Sequence, residues 1–211
     1  GTERVVLSGG EPLLSPFIEK VLRHYAQHVS ERVVITNGIL LNDRRRAELL
    51  DAGATGFTFS IDSPDPAVNG ASRGLSPREH TLVLDHLEEA TEARERKRSE
   101  LGINVVVTAA NAQVESAQDL LGLARDLGLD FVKFSPVFDD GHLGRTAPDL
   151  GLASHHAPVF EHLGDGKTGG DFALTNPAGF CADLAALATG RCIPSRSSPL
   201  TGATLLFAPG G

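Results

Sequence analysis

The chain has 211 residues, enough for one large α/β domain or for a domain with part of a second. Its composition, 41% hydrophobic and 22% charged, is that of an ordinary globular protein, and apolar runs such as residues 103–110 are too short to cross a bilayer. The net charge of −8 argues against a nucleic-acid surface, which needs clustered Lys and Arg. We therefore expect no nucleic-acid partner and no membrane partner.

Strand and helix patterns alternate along the first two thirds of the chain. β-branched and apolar runs predict five strands, at residues 4–8, 32–36, 55–61, 102–108 and 130–136. Apolar residues at helical spacing predict helices at residues 13–29, 42–50, 76–100 and 114–127. The remaining pattern predicts a short helix at 157–163, a flexible loop at 163–170, a helix at 181–188 and a last strand at 204–207.

This repeated strand-then-helix order indicates an α/β fold with parallel strands joined by right-handed crossovers. Two architectures fit the order: an open doubly wound sheet, or part of a (β/α) barrel. In both, ligands bind at the carboxyl ends of the strands. The segments that follow the strands are therefore the candidate functional regions.

The first strand ends at Gly9-Gly10-Glu11-Pro12. Two glycines let a ligand approach bare backbone, and a carboxylate after them can accept charge-assisted hydrogen bonds from an ammonium group. The alternative is a tight turn in which Glu11 caps the next helix. Both interpretations remain open for this segment taken alone.

Five motifs in order resemble the radical S-adenosylmethionine (SAM) superfamily across residues 3–138. Gly-Gly-Glu-Pro at 9–12 resembles its SAM methionine-binding motif, and Ile-Thr-Asn-Gly at 35–38 resembles the end of its next unit. Phe-Ser-Ile-Asp-Ser-Pro at 59–64, followed by Arg-Gly at 73–74, resembles its S-x-D strand with the downstream RG pair. Residues 102–111 and 131–136 resemble the strand that flanks adenine and the last barrel strand. Each motif is weak alone, but five in this order are specific.

The resemblance implies a partial (β/α)6 TIM-like barrel with parallel strands that lacks the first βα unit. Residues 1–150 would form barrel strands two to six, and residues 151–211 a C-terminal extension that begins a SPASM or twitch region. The sequence contains no Met and enters a strand at once, which fits a segment of a longer protein. On this interpretation the strand at residues 4–8 has an uncovered edge.

The resemblance also implies a SAM site at the ends of these strands. The SAM-binding residues it predicts are Gly9, Gly10, Glu11, Thr36, Asn37, Ser60, Asp62 and Arg73. The first three would hold the SAM amino group, and Arg73 would pair with the SAM carboxylate. Ser60 would contact SAM, with Asp62 close to SAM or to the substrate, and the pair at 36–37 would touch either. Turn chemistry at 36–38 and a surface position for Arg73 are the alternatives.

The superfamily binds a [4Fe–4S] cluster through Cys-x-x-x-Cys-x-x-Cys, a motif that this sequence does not contain. The chain by itself is therefore expected to be inactive, and no catalytic residue is predicted in it. Cys192 lies in a segment that resembles the start of a SPASM or twitch region, so it is a candidate ligand of an auxiliary cluster; the alternative is a free thiol. Cys181, on an Ala-rich helix, is expected to be a buried small hydrophobe.

In the intact protein, the resemblance implies that the reduced cluster cleaves SAM to a 5′-deoxyadenosyl radical, which abstracts a hydrogen atom from the substrate. The extension favours a peptide or protein substrate over a small molecule, and the electron donor would be a flavodoxin or ferredoxin. Scarce cysteines and the lack of a secretory signal favour the cytoplasm. Two alternatives remain: a cluster-less SAM-binding or scaffold protein, and an unrelated (β/α) barrel enzyme acting on a phosphorylated metabolite.

Overall fold

The computed structural model describes residues 2–94, 99–136, 154–168, 174, 176, 178–189 and 204–207. In these ranges the strands are β1 (Arg4–Gly9), β2 (Glu31–Thr36), β3 (Gly56–Ser60), β4 (Glu100–Val107), β5 (Phe131–Pro136) and β6 (Thr204–Phe207). The α-helices are α1 (Ile18–Tyr25), α2 (Asp43–Asp51), α3 (Pro66–Arg73), α4 (Pro77–Arg94), α5 (Val114–Asp126), α6 (Ala157–Thr168) and α7 (Ala178–Ala188). No helix in these ranges has the length and apolar character needed to cross a membrane.

The strands form one open sheet in the order β5-β4-β3-β2-β1-β6. β1 pairs in parallel with β2, and β2 with β3, so that Val6 lies opposite Val33 and Val34 lies opposite Phe57. The strands β1 to β5 are parallel and neighbour one another in chain order. The predicted α/β class with parallel strands is therefore confirmed, and a sheet that does not close is consistent with a partial barrel.

The edge of β1 differs from the prediction. β6 pairs with β1 in parallel, from Val6 opposite Thr204 to Gly9 opposite Phe207. The expectation of an uncovered edge at residues 4–8 is therefore wrong. A parallel partner supplies hydrogen bonds to backbone groups that an edge strand leaves unpaired.

The chain forms two compact units, each with its own apolar core. The first comprises Gly1–Ser60, Thr81–Gly102 and Ser197–Gly211, and the second comprises Ile61–His80 and Ile103–Arg196. Buried side chains of the first core include Leu7, Ile18, Leu22, Leu49, Phe57, Phe59 and Leu87. Buried side chains of the second include Ile61, Ile103, Val105, Leu120, Val132, Phe134 and Phe160. The predicted domain boundary at residue 150 lies outside the described residues.

Within the first unit, an ion pair joins the amino ends of two strands that are not neighbours. Arg4 at the start of β1 donates to both carboxylate oxygens of Glu100 at the start of β4, at 2.9 and 2.6 Å. In a flat sheet three inter-strand spacings separate these positions by about 14 Å. The bidentate contact therefore bridges the two strands between β1 and β4 and ties the amino ends of β1 and β4 together.

Two predicted helices are shorter than expected. The helix predicted at 13–29 is interrupted: a 3₁₀ turn at Pro12–Leu14 precedes α1, which begins only at Ile18. Pro16 lies in the break and has no N–H to continue a helix. The helix predicted at 76–100 ends at Arg94, and Glu100 already belongs to β4.

Two other segments are more helical than expected. α6 runs to Thr168, so the loop predicted from residue 163 is helical up to that residue. α3 was not predicted at all, although it carries the signals of a helix start. Asp65 caps it by accepting hydrogen bonds from the N–H groups of Ala67 and Val68, and Pro66 occupies its first position.

Candidate functional site

The carboxylate of Glu11 ties together the ends of β1 and β2 in the first unit. Its Oε1 accepts hydrogen bonds from the Leu13 N–H at 3.1 Å and from the Thr36 hydroxyl at 2.8 Å. Its Oε2 accepts one from the Asn37 N–H at 2.7 Å. Glu11 thus caps the 3₁₀ turn, as the capping interpretation expected, and also reaches the next strand end. A carboxylate offers about four acceptor positions, so about one remains at Oε2.

The turn after β2 is fixed by its own side chains. The Thr36 hydroxyl accepts a hydrogen bond from the Gly38 N–H at 3.1 Å, and Asn37 Oδ1 accepts one from the Ile39 N–H at 3.0 Å. Both are the local turn contacts expected of Thr and Asn at such positions. Thr36 is buried, whereas Asn37 is partly exposed. Of the pair, Asn37 is therefore the one with surface left for a ligand.

Gly38 is required by the packing of this turn. Its φ is +84°, a left-handed conformation that favours glycine. A Cβ at this position would lie 2.8 Å from the Phe59 ring and 3.0 Å from Val83. The Gly38 carbonyl also lies 2.9 Å from Nδ1 of the buried His86. The Asn-Gly pair therefore has a structural role that does not depend on a ligand.

Gly9 and Gly10 leave open backbone beside Glu11. Both residues are exposed, and a Cβ placed on Gly10 would meet no atom within 4 Å. A ligand can thus approach the main chain here without meeting a side chain. Ser60, the last residue of β3, is buried at its strand end with 9% of its surface exposed.

Asp62 is the centre of a buried hydrogen-bond network in the second unit. Its Oδ2 accepts from the Ser72 hydroxyl at 2.7 Å. Its Oδ1 accepts from Arg73 Nη2 at 2.5 Å and from the Val106 N–H at 2.8 Å. The main-chain carbonyl of Asp62 accepts from the Asn111 side chain at 2.9 Å. The carboxylate therefore joins α3 to β4.

A second buried chain of contacts holds α3 to the segment after β3. The Asp62 N–H donates to Asn69 Oδ1 at 2.8 Å, which leaves the Asn69 amide nitrogen 2.8 Å from His80 Nδ1. His80 Nε2 lies 2.9 Å from the Pro64 carbonyl. Since a backbone N–H can only donate, the orientation of the Asn69 amide is fixed by Asp62.

Arg73 lies in the last turn of α3, where Gly74 ends the helix in a left-handed conformation with φ +68°. The Arg-Gly pair is thus also a helix-ending signal, because glycine adopts this conformation without strain. The Arg73 side chain is 22% exposed, and its Nε is buried with no hydrogen-bond partner among the described residues. An orphaned guanidinium N–H of this kind fits an anionic ligand group such as a carboxylate.

The structure therefore brings the predicted residues together in two sets. Glu11, Thr36 and Asn37 are joined by hydrogen bonds in the first unit, and Asp62 and Arg73 by an ion pair in the second. Sequence reasoning missed Asn69 and Ser72, which support Asp62. The signal that could have found them is Asp65-Pro66, which marks the start of a helix. In that helix Asn69, Ser72 and Arg73 share one face, because residues at i, i+3 and i+4 lie on the same side.

The sequence profile of the radical SAM superfamily matches residues 1–107, slightly more than half of the 211-residue chain. The chain belongs to the radical SAM superfamily, whose members are enzymes that use SAM and a [4Fe–4S] cluster. The alternative of an unrelated (β/α) barrel is thereby excluded. The predicted SPASM or twitch subgroup stays a prediction.

Known relatives agree with this assignment. The GTP 3',8-cyclase of Synechococcus sp. (strain CC9902) is 34% identical over 141 residues, covering 62% of this chain and 41% of the relative. The PqqA peptide cyclase of Streptomyces rochei is 28% identical over 135 residues, covering 64% of this chain and 35% of the relative. The chain thus spans about two fifths of the length of these curated relatives.

Solved structures show the same fold. Native anSMEcpe with bound AdoMet superposes with a TM-score of 0.54 and 18% identity over 83% of this chain and 50% of that chain. Streptococcus suis SuiB bound to S-adenosylmethionine superposes with a TM-score of 0.52 and 18% identity over 62% of this chain and 29% of that chain. At this identity the likeness shows the fold alone.

The donor groups that the structure describes do not fit the cluster. A [4Fe–4S] cluster is held by several Cys thiolates. Among the described residues the cysteine is Cys181, which is buried in α7, and no group of three or more His, Cys, Asp or Glu there is arranged to hold a metal ion. Cys192 lies outside the described residues. No step of SAM cleavage is therefore assigned to the residues that the structure describes.

Proposed function

We propose that this chain supplies SAM-binding residues of a radical SAM enzyme. The observation that carries the proposal is the Glu11 carboxylate, which is held beside the exposed Gly9–Gly10 backbone with an acceptor position left over. A fixed carboxylate next to open backbone suits the ammonium group of SAM, because charge-assisted hydrogen bonds are stronger than neutral ones.

The other candidates take roles that match their accessibility. Asn37 is partly exposed and offers polar atoms at its strand end, and Arg73 offers guanidinium N–H groups that suit the SAM carboxylate. Ser60 is buried at the end of β3 and stays a predicted SAM contact. Thr36 is buried and engaged with Glu11 and Gly38, so it supports the Glu11 carboxylate. The cluster would supply the electron for SAM cleavage when bound; the residues described here bind and orient SAM.

The substrate and partners of the intact protein follow by analogy. The relatives include cyclases of GTP and of a peptide, and SuiB has been solved with a precursor peptide. We favour a peptide substrate, because the C-terminal segment resembles the start of a SPASM or twitch region. A flavodoxin or ferredoxin would be the electron donor, and the cytoplasm the compartment.

The test uses the full-length protein with its cluster reconstituted. Titration with SAM should show binding, and 5′-deoxyadenosine should form when a reductant is supplied. Arg73→Gln should weaken SAM binding, while Arg78→Gln, an equal charge change on an exposed arginine at the start of α4, should not. A protein that binds no SAM would refute the proposal. A gene without Cys-x-x-x-Cys-x-x-Cys upstream would favour the scaffold alternative.

A further inference from the structure

We propose that Asp62 is a positioning residue, which acts on SAM through Arg73 and does not touch SAM itself. This inference rests on the proposed SAM-binding function and assigns a different role to a residue that the sequence placed at the ligand. It follows from the burial of Asp62, from the hydrogen-bond partners of its carboxylate and from the N–H groups of Arg73 that Asp62 does not engage.

Burial separates Asp62 from the accessible candidates. Asp62 has 1% of its surface exposed, and the protein itself covers it. Glu11 and Arg73 are partly exposed. Both carboxylates accept three hydrogen bonds and have about one acceptor position left. The Glu11 residue is partly exposed, whereas Asp62 is enclosed by the protein.

The partners of Asp62 show what the carboxylate holds. Ser72 and Arg73 come from the last turn of α3, and the Val106 N–H comes from β4. The Asp62 main chain adds a third tie to α3, through Asn69 Oδ1. Asn69, Ser72 and Arg73 lie on one face of the helix, so Asp62 fixes both the position and the rotation of α3.

Arg73 is the group through which this placement reaches a ligand. Asp62 engages Nη2, while Nε is buried without a partner among the described residues. A guanidinium has five N–H donors in a rigid plane, so fixing Nη2 also sets the direction of the remaining donors. The ion pair therefore orients Arg73 and leaves other N–H groups for a carboxylate.

Asp62→Asn tests this role because it removes the charge and retains the hydrogen-bond pattern. The amide oxygen at the Oδ1 position still accepts from Val106 and Arg73. The amide nitrogen at the Oδ2 position donates to the Ser72 hydroxyl, whose hydrogen then turns to the Asn69 carbonyl 3.2 Å away. The groups around Asp62 keep their partners, and the cost of the change is one buried amide N–H without an acceptor, so the variant is expected to fold with lower stability.

The experiment is a double-mutant cycle on the cluster-reconstituted full-length protein. SAM affinity is measured by calorimetry for the unchanged protein, Asp62→Asn, Arg73→Gln and the double variant. The same four proteins are titrated with decarboxylated SAM, which keeps the amino group and lacks the carboxylate. We expect Asp62→Asn to weaken SAM binding about tenfold, because a neutral amide oxygen holds the Arg73 guanidinium less firmly than the carboxylate does.

The expected pattern has two further parts. The double variant should bind SAM as Arg73→Gln does, because Asp62 has no effect once Arg73 is gone. Decarboxylated SAM should bind all four proteins equally. Additive losses in the double variant would overturn the inference, and so would an Asp62→Asn loss that persists with decarboxylated SAM. Failure of the unchanged protein to bind SAM would instead refute the proposed function.

Two further variants keep the result interpretable. Asp65→Ala removes the N-terminal cap of α3 and leaves the Asp62–Arg73 ion pair, so its SAM affinity should be unchanged; a tenfold loss there would mean that general loosening of α3 is enough. Asp62→Glu keeps the charge and moves it by one methylene, which displaces Arg73. If Asp62→Asn does not fold, Asp62→Glu should show the same loss for SAM and none for decarboxylated SAM, and the opposite pattern would overturn the inference.

Discussion

Both oxygens of the Glu11 carboxylate face backbone N–H groups, that of Leu13 at 3.1 Å and that of Asn37 at 2.7 Å. A carboxylate satisfies both, because each of its oxygens can only accept. A carboxamide cannot, since whichever way it is turned its NH₂ group meets one of the two N–H donors. Glu11 is therefore required by the fold of the turn as well as by any ligand.

Glu11→Gln is predicted to destabilise the full-length protein despite the near-identical shape of the side chains. One backbone N–H loses its acceptor, a cost of about 1–2 kcal/mol for a partly buried donor. Chemical denaturation checks the value, and the exposed Glu3→Gln, with the same loss of charge, should have little effect. Equal stabilities of the two variants would contradict the geometry at Glu11.

The Arg4–Glu100 ion pair is predicted to contribute modestly to the free energy of unfolding, and this contribution is predicted to depend on salt. Its side chains are 39% and 29% exposed, so solvent screens the attraction, and a double-mutant cycle of Arg4→Met and Glu100→Gln should give about 0.5–1 kcal/mol. The hydrogen bond from Arg4 to Glu100 raises the pKa of Arg4, so Arg4 stays charged through the neutral range. The coupling should fall as ionic strength rises. A coupling energy that does not change with salt would argue against this ion pair.

The capping box at the start of α4 predicts that the free energy of unfolding depends on pH in the acid range. The hydroxyl and the N–H of Ser76 both donate to Glu79 Oε2, at 2.6 and 2.8 Å, and lower the pKa of Glu79 below its ordinary value of 4.5. A lowered folded-state pKa means that the stabilising contribution is complete above the unfolded pKa and is lost as the pH falls through the folded pKa. Ser76→Ala should raise the pKa of Glu79, which carboxyl NMR titration measures. Ser116→Ala, a change of the same kind on another helix, should leave it unmoved.

The tautomer of His80 is predicted from its contacts, with the proton on Nε2 and Nδ1 as the acceptor. The Asp62 N–H fixes the Asn69 amide so that its NH₂ group faces His80 Nδ1, which must then accept. Nε2 carries the proton and donates to the Pro64 carbonyl. Nitrogen-15 NMR of the imidazole distinguishes the two tautomers. A signal from Nδ1–H at neutral pH would show that the Asn69–His80 contact is wrongly assigned.

The sequence by itself determined the order and type of the strands. Val-Val-Leu in β1, Val-Val-Ile in β2 and Phe-Thr-Phe in β3 are short apolar-rich runs, and the helical segments between them indicate parallel pairing. It also marked the Gly-Gly-Glu-Pro, Thr-Asn-Gly and Ser-Ile-Asp segments, because each directly follows a strand. Local patterns were sufficient there, since strand identity and strand ends are written in neighbouring residues.

Only the tertiary structure decided what those marked residues do. The Glu11–Asn37 and Asp62–Val106 hydrogen bonds join residues 26 and 44 positions apart, and no local pattern registers them. The same holds for β6, which covers the edge of β1 from the far end of the chain. Two aspartates or glutamates after a strand look alike in sequence. Whether one reaches solvent, as Glu11 does, or is enclosed by a helix, as Asp62 is by α3, depends on packing between distant segments.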